Sequence, residues 1–117
     1  MPVPTPDQMI KLFVLFLTKG PKWSADRNPE IDKLQVEHVE YQISLRKSGE
    51  ILLGGPLVDN GEFRGLTIFG VRTEKEVKTL MNQDPAVKAG IFEFEIHPWM
   101  VEKEALNSGI WNIPTDK

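Results

Sequence analysis

A chain of 117 residues, 40% hydrophobic and 26% charged, is sized for one domain and composed for a packed core rather than for disorder. Its net charge is −3, and its lysines and arginines are scattered among acids with no basic stripe, so nucleic-acid binding is not expected. It has no cysteine, which excludes disulfides, thiol catalysis and thiolate metal sites together and fits a cytoplasmic protein.

The opening MPVPTPDQMI lacks a basic region followed by an apolar stretch, so no signal peptide is expected. Met9 to Thr18 is apolar on both faces after Lys11 and reads as a strand covered on both sides, hence central. Its longest apolar run, Leu12 to Leu17, is far too short to cross a bilayer. Lys19 to Arg27 is a loop punctuated by Gly20 and Pro21, with a lone aromatic, Trp23, among basic residues. A long helix follows from Asn28 to Ser48. Asn28 caps it, Pro29 takes the first helical position, Glu30 and Asp32 suit the positive end of the dipole, and Lys47 and Gly49 suit the other end.

Within that helix Ile31, Leu34, Tyr41 and Leu45 form an apolar stripe whose missing member is His38. A side chain that titrates near neutrality therefore points toward the core. A lone histidine on such a stripe is more often structural than catalytic, and the helix by itself leaves both roles open.

Glu50 to Leu57 reads as a second strand, in which Gly54 and Gly55 suggest a bulge or close approach and Pro56 suggests an edge. Asp59 to Gly61 is a hairpin-like turn into a third strand, Phe63 to Val71. Thr73 with Glu76 forms a capping box for a second helix, whose apolar face is Val77, Leu80 and Met81. Asp84 then caps a short turn from Pro85 to Ala89, closed by Gly90. Ile91 to His97 is the fourth strand, with Phe92, Phe94 and Ile96 on one face and Glu93 and Glu95 on the other. From Pro98 a tail is expected. It holds a helical turn or two from Met100 to Leu106, stopped by Asn107, Ser108 and Gly109, and its Trp99, Met100 and Trp111 cover an edge or a second subunit.

The order strand, helix, strand, strand, helix, strand is the α+β, ferredoxin-like βαββαβ pattern: a four-stranded antiparallel sheet, first and third strands central, both helices on one face. The first strand is apolar on its other side too, and no third layer is available, so a homodimer with sheets packed face to face is expected. A second aliphatic ridge on the long helix, Val36, Val39 and Ile43, leaves room for a higher assembly or for scattered surface aliphatics.

Several stretches together resemble the YCII-related family of the dimeric α+β barrel superfamily. They are the helix histidine with Gly49 eleven residues on, a strand running into GGPL, DPAVKAG before the last strand, and HPW. The resemblance runs from about Lys11 to Trp99. It implies residues 1–117 as a single domain with a core of about 9–99 and a C-terminal extension at 100–117, and that extension departs from the family pattern. It also implies a His–Asp pair at His38 and Asp84 as the catalytic site. Lyase and isomerase chemistry occur within the superfamily. In such a site Trp23 and Phe69 would supply aromatic walls, Gly55 close backbone approach, and Arg64 an anchor for an anionic substrate, with Lys19, Lys22 and Arg27 as further cations. The plainer readings stand beside these: Asp84 as a cap only, Trp23 as a loop pin, the cations as solvated charges. With two histidines and no cysteine, neither a metal nor another cofactor is expected. Two functions follow. One is acid–base isomerase or lyase chemistry on a small organic acid or phenol. The other is a non-catalytic ligand-binding or regulatory dimer.

Overall fold

Local signals set where each element begins, and the chain obeys them. The computed structural model describes residues 3–107. After a 3₁₀ turn at Pro6–Gln8, the elements run β1 (Met9–Lys19), α1 (Pro29–Lys47), β2 (Ile51–Pro56), β3 (Phe63–Phe69), α2 (Glu74–Met81), α3 (Pro85–Lys88), β4 (Phe92–Glu102) and α4 (Lys103–Asn107). The Asn28 side chain accepts the Ile31 N–H at 2.9 Å, and Thr73 accepts the Glu76 N–H at 3.2 Å, so both helices start at their side-chain caps. Gly49 and Gly90 take positive φ angles of 91° and 82°, which end α1 and release the chain from α3 into β4.

The strands form one antiparallel sheet in the order β2-β3-β1-β4, with β1 and β3 central. Pro56 accordingly lies on an edge strand. Phe13, Leu15 and Leu17 of β1 pair with Phe69, Thr67 and Gly65 of β3. On the other side Leu15 and Leu17 pair with Ile96 and Phe94 of β4. This face of the sheet packs against Leu45 of α1, Val77 and Met81 of α2 and Ala86 of α3 to make the core. Burying the three larger of these helix side chains, Leu45, Val77 and Met81, contributes on the order of 5–9 kcal/mol before the entropy of ordering them is charged.

The structure corrects two expectations. The fourth strand does not stop at His97: it continues through Pro98 to Glu102, with Trp99 against Leu12 and Val101 against Ile10. A proline ends a strand only where its missing N–H is needed, and β4 is an edge strand, where one side of the ladder is vacant. The irregularity in β2 lies between Ile51 and Leu53, not at the two glycines. That extra residue turns both Ile51 and Gly54 toward the helices. A Cβ added to Gly54 would sit 3.2 Å from the Thr67 hydroxyl, so the close approach expected of the glycines holds at Gly54, while at Gly55 a Cβ would meet no atom within 4 Å. Of the apolar residues assigned to the tail, Trp111 lies outside the described residues.

Across β1, β2 and β3 the sheet face away from the helices is apolar and partly exposed, whereas its β4 part carries Glu93, Glu95 and His97. Val14 pairs with Ile68, and Ile68 in turn with Leu53, which is 57% exposed. Phe16 stacks on Phe63 at 5.0 Å between ring centres.

Candidate active site

Positions 38, 42 and 46 lie one turn apart on α1, so His38, Gln42 and Arg46 form a row along one side of the helix. Asp84 arrives from the distant N-terminus of α3. There its Oδ1 accepts the Ala86 N–H at 2.9 Å, which is the cap read from the sequence. Its Oδ2 faces α1 and accepts Nδ1–H of His38 at 2.6 Å and Nε2–H of Gln42 at 3.2 Å. A carboxylate is an acceptor only, and with three N–H groups directed at this one the proton of the pair sits on His38 Nδ1. Asp84 is 0% exposed, and its three donors repay the desolvation of a buried charge.

His38 is 9% exposed, and its ring lies 5.2 Å from that of Phe92. Among the described residues Nε2 has no hydrogen-bond partner, yet no buried side-chain nitrogen or oxygen among them is left unpaired. Nε2 is therefore reachable from outside. His38 lines a cleft of about 270 Å³ between α1 and the β2–β3 end of the sheet. Leu17, Ile51, Met81 and Phe92 give it apolar walls; Gln42, Thr67, Arg46 and Arg64 supply polar groups. The volume sits just under the usual ligand-cleft range of about 300–1,000 Å³, so the fitting molecule is small. An imidazole fixed in one tautomer, with a free basic nitrogen facing such a hollow, can take or deliver one proton.

Tyr41, on the neighbouring line of α1, donates its hydroxyl to the Leu80 carbonyl at 2.7 Å. Burial, then the negative charges of Asp84 and Glu50, push its ionisation above the ordinary 10.0. It stays neutral beside the pair.

A family model described as the YCII-related domain matches residues 12–100. The chain belongs to the YCII-related family. Comparison with curated proteins gave no match. Among solved structures this YCII-related chain is similar to 5-chloro-2-hydroxyhydroquinone dehydrochlorinase from Burkholderia phenoliruptrix AC1100 in complex with 2,5-dihydroxybenzoquinone. Identity is 24% and the TM-score 0.52, over 75% of this chain and 92% of that one. The fold is shared.

The geometry sorts the remaining site candidates. His38 and Asp84 meet, and Gly55 and Arg64 line the cleft. Phe69 does not: it is 0% exposed, inside the core, because its alternation on β3 turns it under the helices at the Ile51 end of the sheet. The aromatic wall is Phe92. Trp23 is not a wall either. It packs beside the core, with Lys19 Nζ 4.3 Å and Arg64 Cζ 5.2 Å from its ring. Arg27 pairs with Asp32 at 3.1 Å on the surface. Gln42 and Arg46, not singled out from the sequence, were available to it as the four- and eight-residue steps from His38. Val39 and Ile43, two of the three ridge residues, line the cleft mouth. Among the described residues no group of His, Asp and Glu gathers to hold a metal, and no helix is long and apolar enough to cross a membrane.

Proposed function

We propose that this YCII-related protein is a small acid–base enzyme in which His38 moves a proton on a small organic acid or phenol, in isomerase or lyase chemistry. One observation carries the reading: a 2.6 Å His38–Asp84 hydrogen bond beside a cleft that His38 Nε2 can reach. That distance lies at the short end of the about 2.6–3.2 Å expected when a carboxylate orients a base. Asp84 fixes the tautomer and stabilises the imidazolium once the proton arrives; Gln42 holds the second lobe of Oδ2. The solved neighbour, a dehydrochlorinase with a quinone bound, supports a small cyclic substrate on this fold. A non-catalytic module would be served by a histidine sealed in packing or bonded only to backbone, and His38 is neither.

In the same reading the chain is one domain that works as a homodimer in the cytoplasm. The open apolar face of β1, β2 and β3 packs against that of a second copy, and the continuation of β4 from Met100 to Glu102 lies at the edge of that pairing.

The test begins with a thermal-shift screen of small aromatic and lactone-like acids, followed by turnover assays on those that bind. His38→Gln is expected to remove turnover by at least about a hundredfold while leaving the far-UV circular dichroism unchanged. Unchanged turnover in that variant dismisses the catalytic role.

A further inference from the structure

The polar groups of the cleft are unequal in sign. Arg46 and Arg64 line it, and among the described residues no Asp or Glu side chain does, although the chain as a whole carries a charge of −3. Arg27 pairs with Asp32 and Lys78 with Glu74 at 3.2 Å, while most other described lysines and arginines form no ion pair, so what sets Arg46 and Arg64 apart is their place in the cleft. Among the described residues neither Arg46 nor Arg64 forms an ion pair. Arg64 is also held in place: one guanidinium N–H donates to the Gly61 carbonyl at 2.9 Å, and the group lies 5.2 Å from the Trp23 ring. That leaves further N–H donors of its fork unengaged. Arg46 stands two turns beyond His38, about 12 Å of helix rise, and side chains on a helix lean back toward its N-terminus, here toward the cleft.

We infer that the cleft takes a small organic carboxylate, with its carboxylate bound by Arg46 and Arg64 and its apolar body along Phe92, Ile51 and Leu17. The reacting carbon then lies at the His38 end. Guanidinium forks match carboxylates in a bidentate manner, and the apolar walls demand more than a bare anion. Trp23 is a positioning residue: it acts through Arg64 and does not line the cleft. The inference rests on the acid–base reading only for what happens after binding. The binding itself is tested without turnover.

The experiment uses the full chain and three probes titrated by calorimetry and by shifts of the His38 ring signals: benzoate, its neutral counterpart benzamide, and phenyl phosphate. Benzoate is expected to bind at least about tenfold more tightly than benzamide, with an affinity that falls as salt rises. Arg46→Gln and Arg64→Gln are each expected to weaken benzoate about tenfold and to leave benzamide unmoved. Trp23→Ala is expected to weaken benzoate several-fold in the native background and not at all in Arg64→Gln, with Trp23→Phe recovering most of the loss. Equal binding of benzoate and benzamide, no binding of either, or preference for phenyl phosphate over benzoate overturns the inference. An additive effect of Trp23→Ala in the Arg64→Gln background removes its positioning role. His38→Gln separates the two ideas: if it retains arginine-dependent benzoate binding while no acid is ever turned over, the catalytic reading fails and the binding site stands.

Discussion

Replacing Asp84 by Asn tests the site without knowledge of the substrate. The change is isosteric and keeps one oxygen for the Ala86 N–H, bonded at 2.9 Å, so the cap survives. The second arm becomes an NH2 group facing His38 Nδ1 and Gln42 Nε2, two positions that donate in the native chain. Donor now meets donor. The imidazole resolves its conflict by moving its proton to Nε2 and accepting through Nδ1, which leaves no base at the cleft. Gln42 can turn its amide over so that Oε1 accepts from the new NH2, at the cost of its Nε2–H contact with Met81 Sδ, so both native bonds to a charged acceptor are replaced by neutral ones. Stability should fall by about 1.5–3 kcal/mol, the range for losing a hydrogen bond to a charged group. That corresponds to a melting temperature lower by roughly 6–12 °C for a domain of this size. Nitrogen-15 spectra of the histidine rings read the tautomer directly. In the native protein neutral His38 should carry its proton on Nδ1, and in Asp84→Asn on Nε2. The same tautomer in both proteins would refute the reasoning, whatever happens to stability.

Two further outcomes follow from the geometry. The open sheet face predicts a dimer at micromolar concentration in a sedimentation run; Ile68→Glu, which places a charge at its centre opposite Val14, should give a folded monomer, and a monomeric native protein would contradict the face-to-face pairing. Tyr41 is the chain's one tyrosine, so an ultraviolet titration should show a single phenol ionising above 10.0. Because its ionisation is raised in the folded state, its contribution is complete below the unfolded value and lost as pH climbs through the folded one; Tyr41→Phe should therefore lose stability less steeply above about pH 10, and equal slopes would refute this.

What could be read in the sequence was local, and what could not was relational. Asn28, Thr73 and Asp84 announce helix starts because a cap is satisfied within three residues of itself. Strand order followed because sequential connections admit few topologies. Pro98 misled because its cost depends on whether a neighbour needs its N–H, and that depends on β4 lying at an edge. Phe69 and Phe92 exchanged roles for a related reason. Both alternate toward the helices, but the cleft lies at the end of the sheet where β2 offers Gly54 and Gly55 with no side chain to fill it, and Phe92 is the one there. Spacing predicts a face, not a distance along it.

The two roles read for Asp84, cap or catalytic partner, were never alternatives, because a carboxylate has two oxygens and the fold uses them separately. Oδ1 is spent on the Ala86 N–H, two residues away, and that short loop fixes the side-chain rotamer locally. Oδ2 is thereby aimed at α1, where His38 and Gln42 meet it from the same row of the helix. The structural role is the means of the chemical one: orienting a base demands a carboxylate that does not move, and an N-cap is a cheap local way to immobilise one. It follows that a residue fully explained by secondary structure should not be struck from a list of site candidates until each of its polar atoms has been assigned a partner.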